Sequence, residues 1–221
     1  IQQVVKIMQK NSDDFSSVGK ILYKNKSGKI LDNTHFGEVI MDLDELPIPA
    51  WDLLPNERYW KIGRPHGGGD TIRGKELKYA SMMTSRGCPF ACSFCHIADE
   101  TEKSISGAIG RFRIKSDQRV QKELSILKNE IGVKQVFIED DSIFGMKRRA
   151  IRLLKSVVGY GLDLLDVNGV NTIHLVKKSN KPGWMVPDEE LIALLAEVGF
   201  KEVVLPFETA TSRVMKKWCS N

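Results

Sequence analysis

Beyond residue 75 the sequence alternates strand and helix, which predicts an α/β fold with parallel pairing and right-handed crossovers, either a sheet or part of a (β/α) barrel. Two observations carry this expectation. Apolar runs of strand length occupy 78–84, 133–139, 162–170 and 201–207, and between them the segments 117–130, 147–160 and 188–198 carry helical patterning. Helix punctuation stands at their ends: Ser116 is an N-cap, Gly161 ends the second helix, Pro187 sits in the first turn of the third and Gly199 closes it. Residues 211–218 open a further helix, while Asp163 and Asp166 make the third strand less clean than the others.

The first 75 residues are patterned more weakly. A short polar helix precedes two short strands, 19–24 and 28–31, around a turn at Asn25, Lys26, Ser27 and Gly28. Residues 43–54 contain Pro47 and Pro49, so this stretch is expected to run extended with its apolar residues against another surface. Residues 65–70 are glycine-rich and read as a turn. The organisation expected is a linker region over 1–75 and a core over 76–221. Ile1 at the start, and a final segment that stops in mid-pattern, lead to the expectation of a fragment with further sequence at both ends.

With 42% hydrophobic and 28% charged residues in 221, the chain has enough apolar material for a core and is not of the disordered class. The net charge of +5 comes from 33 basic residues dispersed among 28 acidic ones, which reads as solvated surface and gives no clear nucleic-acid signal. No run approaches the roughly 18 to 20 apolar residues of a membrane span, and no signal core opens the chain, so a cytoplasmic location without membrane attachment is expected.

Three of the four cysteines, Cys88, Cys92 and Cys95, fall within eight residues at CxxxCxxC spacing. Without a secretory signal, this favours metal over disulfides. Three soft thiolates suit iron in a cluster, and three ligands on a four-iron cluster leave one iron open. The bland alternative is a structural zinc site with His96 as fourth ligand. The cysteine loop, Glu139, Asp140 and Asp141, Asn168 and Asn171, and Glu208 all end or follow a strand, so in a barrel they gather at one rim.

This cysteine pattern, with Phe94 just before the third cysteine and the loop following the first strand, resembles the radical S-adenosylmethionine (SAM) superfamily. The resemblance implies the N-terminal part of a partial (β/α) barrel of the radical SAM type. It implies a 4Fe-4S cluster on the three cysteines, an open iron that chelates SAM, and one-electron cleavage to methionine and a 5′-deoxyadenosyl radical that abstracts hydrogen from substrate. An electron donor such as flavodoxin or ferredoxin is expected with it. Phe94 is then placed near the adenine. Asp140 and Asp141, with Glu139 the weaker choice, stand where many members carry a glycine-rich segment whose glutamate binds the SAM amino group; capping of the next helix, or ion pairs to Lys147 and Arg148, is the structural alternative. Glu208 matches the fourth-strand glutamate that contacts the ribose or methionine end, although Pro206 and Phe207 replace the commoner glycine and valine. Asn168 and Asn171 rank lower and could be turn residues only.

Residues 42–54 also resemble the linker between a cobalamin-binding domain and the radical barrel. Cobalamin would then be held by a domain upstream, since the DxHxxG signature is absent and Asn33, Thr34, His35, Phe36 and Gly37 do not fit it. Methylation or rearrangement of an unactivated carbon is the reaction this subclass implies; a methylthiotransferase or a zinc-stabilised binding module are the alternatives. Gly87 lets the backbone turn before the first ligand, and Arg86 is either a nearby cation or a surface residue. Cys219 reads as a buried thiol, His35, His66 and His174 as surface or packing residues, and Trp51, Trp60, Trp184 and Trp218 as packing anchors. Nothing in the sequence identifies the substrate.

Overall fold

The computed structural model describes residues 1–34, 37, 39–62, 78–100, 108–207 and 209–214. At the N-terminus, helix α1 (Gln2–Gln9) is followed by an antiparallel hairpin of β1 (Leu22–Lys24) and β2 (Ile30–Asp32), with Gly28 in the left-handed conformation that its turn requires. The proline-containing stretch is not simply extended. Two 3-10 turns, Leu43–Glu45 and Trp51–Leu53, flank Pro47 and Pro49 and drive Leu43 and Trp51 into buried positions, and α2 (Asn56–Ile62) follows.

The core begins with β3 (Tyr79–Met82), then β4 (Ser85–Arg86), α3 (His96–Asp99), β5 (Arg113–Ile114), α4 (Asp117–Ile126) and β6 (Gln135–Ile138). It continues through α5 (Lys147–Ser156), β7 (Asp163–Asp166), the hairpin β8 (Val176–Lys178) and β9 (Met185–Pro187), α6 (Glu189–Val198) and β10 (Phe200–Glu202). Strands β3, β6, β7 and β10 form one parallel sheet in sequence order, with Met82 opposite Ile138 and Ile138 opposite Asp166. Consecutive parallel neighbours with a helix in each connection are the topology of the α/β class expected.

Strand alternation divides the sheet into two faces. Val136, Ile138 and Leu164 share one core with Leu124 and Leu127, Leu153 and Leu154, and Leu195, while Phe137 meets Tyr79 edge to face at 5.7 Å between ring centroids. Of the tryptophans, Trp51 and Trp60 are buried and Trp60 donates its Nε1 hydrogen to the Tyr79 carbonyl at 2.8 Å, whereas Trp184 is exposed and Trp218 lies outside the described residues.

Several boundaries differ from the sequence expectation. The Ser116 cap holds, its Oγ accepting from the Arg119 N–H at 3.0 Å, but α4 continues through a widened π-helical turn, Leu127–Ile131, before Gly132 ends it in the left-handed conformation. Helix α5 stops at Ser156, five residues before Gly161. Pro187 ends strand β9 and does not start α6: Asp188 caps that helix, its Oδ1 accepting from the Leu191 N–H at 3.4 Å. The helix expected at 211–218 falls largely outside the described residues.

Residues 44–47 are anchored to α4. Arg119 donates to the carbonyls of Asp44 (3.2 Å), Leu46 (2.7 Å) and Pro47 (2.9 Å), and the Ser116 N–H donates to Asp44 Oδ1 at 3.0 Å. Arg119 also meets Glu123 at 2.6 Å, and Lys115 meets the same carboxylate at 2.6 Å, so two cations neutralise a fully buried acid.

Candidate metal and cofactor site

The cysteine loop leaves the sheet at the carboxyl end of β3 through the short hairpin β4–β5, which pairs Ser85 with Ile114 and Arg86 with Arg113. Gly87 makes the turn into Cys88 at φ +77°, and a Cβ there would lie 2.3 Å from the Gly110 carbonyl oxygen and 2.5 Å from that of Arg111. Only glycine fits. The Cys88 N–H donates to the Gly110 carbonyl at 3.2 Å, and the Cys95 N–H to that of Cys92 at 3.0 Å, just before α3 begins.

None of the three cysteines is in a disulfide, and all are partly buried. Burial pushes the Cys88 thiol pKa up, against hydrogen bonds from the Phe90 backbone N–H and the Ser142 hydroxyl, and the neighbouring Cys92 and Cys95 add to the rise. Among the described residues no group of three or more His, Cys, Asp and Glu side chains closes around a single ion. Three soft thiolate donors on one short loop are the ligand type that suits an iron–sulfur group, in which hydrogen bonds to sulfur tune the iron.

The acids that end β6 take separate positions. Asp140 is 1% exposed; its Oδ1 accepts from the Thr84 N–H and its Oδ2 from the Thr84 and Ser85 hydroxyls, each at 2.6 Å. Arg149 of α5 completes the knot, donating to the Thr84 hydroxyl (2.9 Å) and to the carbonyls of Thr84 (3.0 Å) and Lys115 (2.9 Å). Buried and engaged by three donors, Asp140 braces the end of β6 against Thr84 and Ser85. Asp141 is half-buried and accepts the Gly87 N–H at 2.8 Å through Oδ2. Glu139 donates its N–H to the Met82 carbonyl at 2.9 Å and is among the residues lining a cavity of about 300 Å³, with Leu43, Trp51, Met83 and Arg86.

Asn168 is exposed beyond β7 and donates to the Glu139 carbonyl at 3.0 Å, so it sits at the same rim. Asn171 caps the 3-10 turn Thr172–Leu175, accepting from the Ile173 N–H at 3.1 Å, which is the turn role. Phe94 is 48% exposed between Cys92 and Cys95. Arg86 is exposed across from Arg113. Glu208, His35, His66 and Cys219 lie outside the described residues.

Two neighbours were not among the expected site residues: the sequence placed His174 as a surface or packing residue and Asp166 as an interruption of the third strand. His174 packs its ring against Phe90 of the cysteine loop (5.6 Å) and Phe144 (6.1 Å), and burial, aided by Lys147, depresses its pKa. Asp166 ends β7 buried, with a pKa of about 6 set mainly by desolvation, and accepts the Val204 N–H at 3.1 Å. A charged residue interrupting a buried strand was the available signal for Asp166; His174 had none, since its partners are distant in sequence.

The family model of the Radical SAM superfamily matches residues 82–221, more than half of the chain. The chain is 32% identical over 180 residues to an uncharacterized methyltransferase of Pyrococcus horikoshii, covering 80% of this chain and 32% of that protein. It is 29% identical over 179 residues to the cytidylyl-2-hydroxyethylphosphonate methyltransferase of Streptomyces wedmorensis, covering 80% of this chain and 29% of that one. It thus spans about a third of the length of these relatives. In fold it is similar to TsrM, a radical SAM methyltransferase of Kitasatospora setae. The structure with tryptophan substrate and a SAM analogue gives a TM-score of 0.61 at 16% identity over 98% of this chain and 36% of that one. The structure with cobalamin and a [4Fe-4S] cluster gives 0.58 at 15% identity over 98% and 38%. Carried by the family match and by the cysteine loop at the strand ends, the conclusion is that this chain belongs to the radical SAM superfamily, whose enzymes employ a 4Fe-4S cluster and SAM.

Proposed function

We propose that this chain is the cluster-bearing part of a radical SAM methyltransferase, with Cys88, Cys92 and Cys95 as the cluster ligands and residues 1–75 linking the core to a cobalamin-binding domain. The observation that carries the reading is the placement of three cysteines, none of them in a disulfide, on one loop beyond the carboxyl end of β3 in the parallel sheet. When bound, the cluster supplies the electron for SAM cleavage, and that chemistry is the cofactor's own.

The protein's part is placement. Phe94 offers an exposed ring beside the third thiol for the adenine. Asp141 is the acid that retains an oxygen for the SAM ammonium, while Asn168 and Glu208 are the polar contacts proposed along the rim. Methyl transfer is supported by the names of the relatives, and cobalamin by the TsrM structure that contains it and by the linker of residues 42–54. The substrate is proposed to be a small molecule, as tryptophan is for TsrM, and reduction to come from a flavodoxin or ferredoxin.

The test is anaerobic reconstitution with iron and sulfide, followed by electron paramagnetic resonance (EPR) of the reduced protein. A four-iron signal that shifts on adding SAM and is lost in Cys88→Ala is expected. One bound zinc and no cluster under the same conditions sinks the reading.

A further inference from the structure

We infer that Asp141 is a positioning residue for the cluster loop, acting as a neutral-competent hydrogen-bond acceptor that holds the Gly87 amide and thereby sets where Cys88 presents its sulfur. This rests on the assignment of Cys88, Cys92 and Cys95 as cluster ligands.

The backbone leading into Cys88 is fastened at both ends of a four-residue stretch. Asp140 takes the Thr84 amide and the Thr84 and Ser85 hydroxyls at 2.6 Å, and Asp141 takes the Gly87 amide at 2.8 Å. Adjacent residues just beyond the end of one strand thus seize the neighbouring strand's continuation, the partners standing 54 to 56 positions apart in the chain. The Gly87 amide cannot be satisfied by strand pairing. It stands after the last β4–β5 pair, in a left-handed turn pressed against the carbonyls of Gly110 and Arg111, and Asp141 is the acceptor that meets it. The next amide, that of Cys88, bonds to Gly110 at 3.2 Å. Peptide planes on both sides of the Gly87 α-carbon are therefore held, and the Cys88 α-carbon has little freedom left. Groups that orient a metal ligand in this way control metal affinity without touching the metal.

The ammonium contact proposed for Asp141 calls on its charge, whereas holding the Gly87 amide calls only on an acceptor oxygen, so the two roles are separable when SAM is left out. Asparagine keeps a carbonyl oxygen at the Oδ position, so it can hold the Gly87 amide but offers no charge; alanine offers neither.

The experiment compares wild type, Asp141→Asn and Asp141→Ala after reconstitution without SAM, reading iron and sulfide per chain, the EPR line shape of the reduced cluster, and far-ultraviolet circular dichroism for the fold. Expected are wild-type iron content and line shape in Asp141→Asn, and in Asp141→Ala iron retention against a chelator lower by about tenfold with a broadened signal. Asp141→Ala with wild-type iron retention and line shape overturns the inference. So does a folded Asp141→Asn that loses its cluster, and this arm stands even if the alanine variant fails to fold. A wild-type chain that takes up no cluster sinks the ligand assignment, and the inference with it; a loaded wild type with unaltered variants sinks the positioning role alone.

Discussion

Arg149 reaches Asp140 through the Thr84 hydroxyl, which accepts from the guanidinium at 2.9 Å and donates to the carboxylate at 2.6 Å. Both charged groups are buried, at 2% and 1% exposure. Burial raises the Asp140 pKa and lowers that of Arg149, and their mutual attraction opposes both shifts. The relay ties β3, β6 and α5 together directly beneath the cysteine loop.

Removing one member of this relay strands the others. Asp140→Ala leaves the Thr84 amide, two hydroxyls and a buried guanidinium under-satisfied, and a loss of about 3–5 kcal/mol is expected. In the double variant with Arg149→Met the unpaired charge is gone as well, so its cost should fall short of the sum of the singles by about 1–3 kcal/mol. Urea denaturation of the four proteins at pH 7 measures the coupling; strict additivity would show that the two groups do not communicate.

Asp166 provides a pH signature. Burial raises its pKa from 3.8 to about 6, with the Asp140 and Glu202 charges adding to the rise and the Val204 and Gly169 amides opposing it. The folded protein therefore holds a proton that the unfolded chain releases between these values. Its stabilising contribution is complete below pH 3.8 and is lost as pH rises through about 6, amounting to about 3 kcal/mol at most. Asp166→Asn can still accept from Val204 and has no proton to lose. The stability difference between wild type and variant, followed by denaturation from pH 4 to 8, should move in the variant's favour across this window and level off above it.

Arg119 joins residues 44–47 to α4 through three backbone carbonyls and one carboxylate. Arg119→Met keeps much of the apolar stem and removes these donors, leaving Glu123 with Lys115 alone. Amide hydrogen exchange should accelerate by about tenfold or more over residues 43–54, consistent with local opening made easier by at least 1.4 kcal/mol, while β6 stays protected. Uniform acceleration throughout the sheet would instead mean that the linker and core unfold as one unit.

What was legible in the sequence was local. Alternating apolar patterns placed β3, β6, β7 and β10, Ser116 and Gly199 marked helix ends, and three cysteines within one short loop pointed to a cluster. These signals depend on residues a few positions apart, where backbone geometry alone dictates who is a neighbour. The sequence also contained three consecutive acids, with Asp140 and Asp141 preferred over Glu139 but not told apart from each other. Tertiary structure separated them: pairing of β6 with β3, Met82 beside Ile138, turns Asp140 inward onto Thr84 and Ser85 and leaves Asp141 against Gly87. The same holds for Pro187, which has the chemistry of a helix start but joins the β8–β9 hairpin, and for His174, drawn onto Phe90 by the fold. A side chain's role at this rim is decided by which distant backbone donor it meets, and that depends on strand register, which local sequence does not encode.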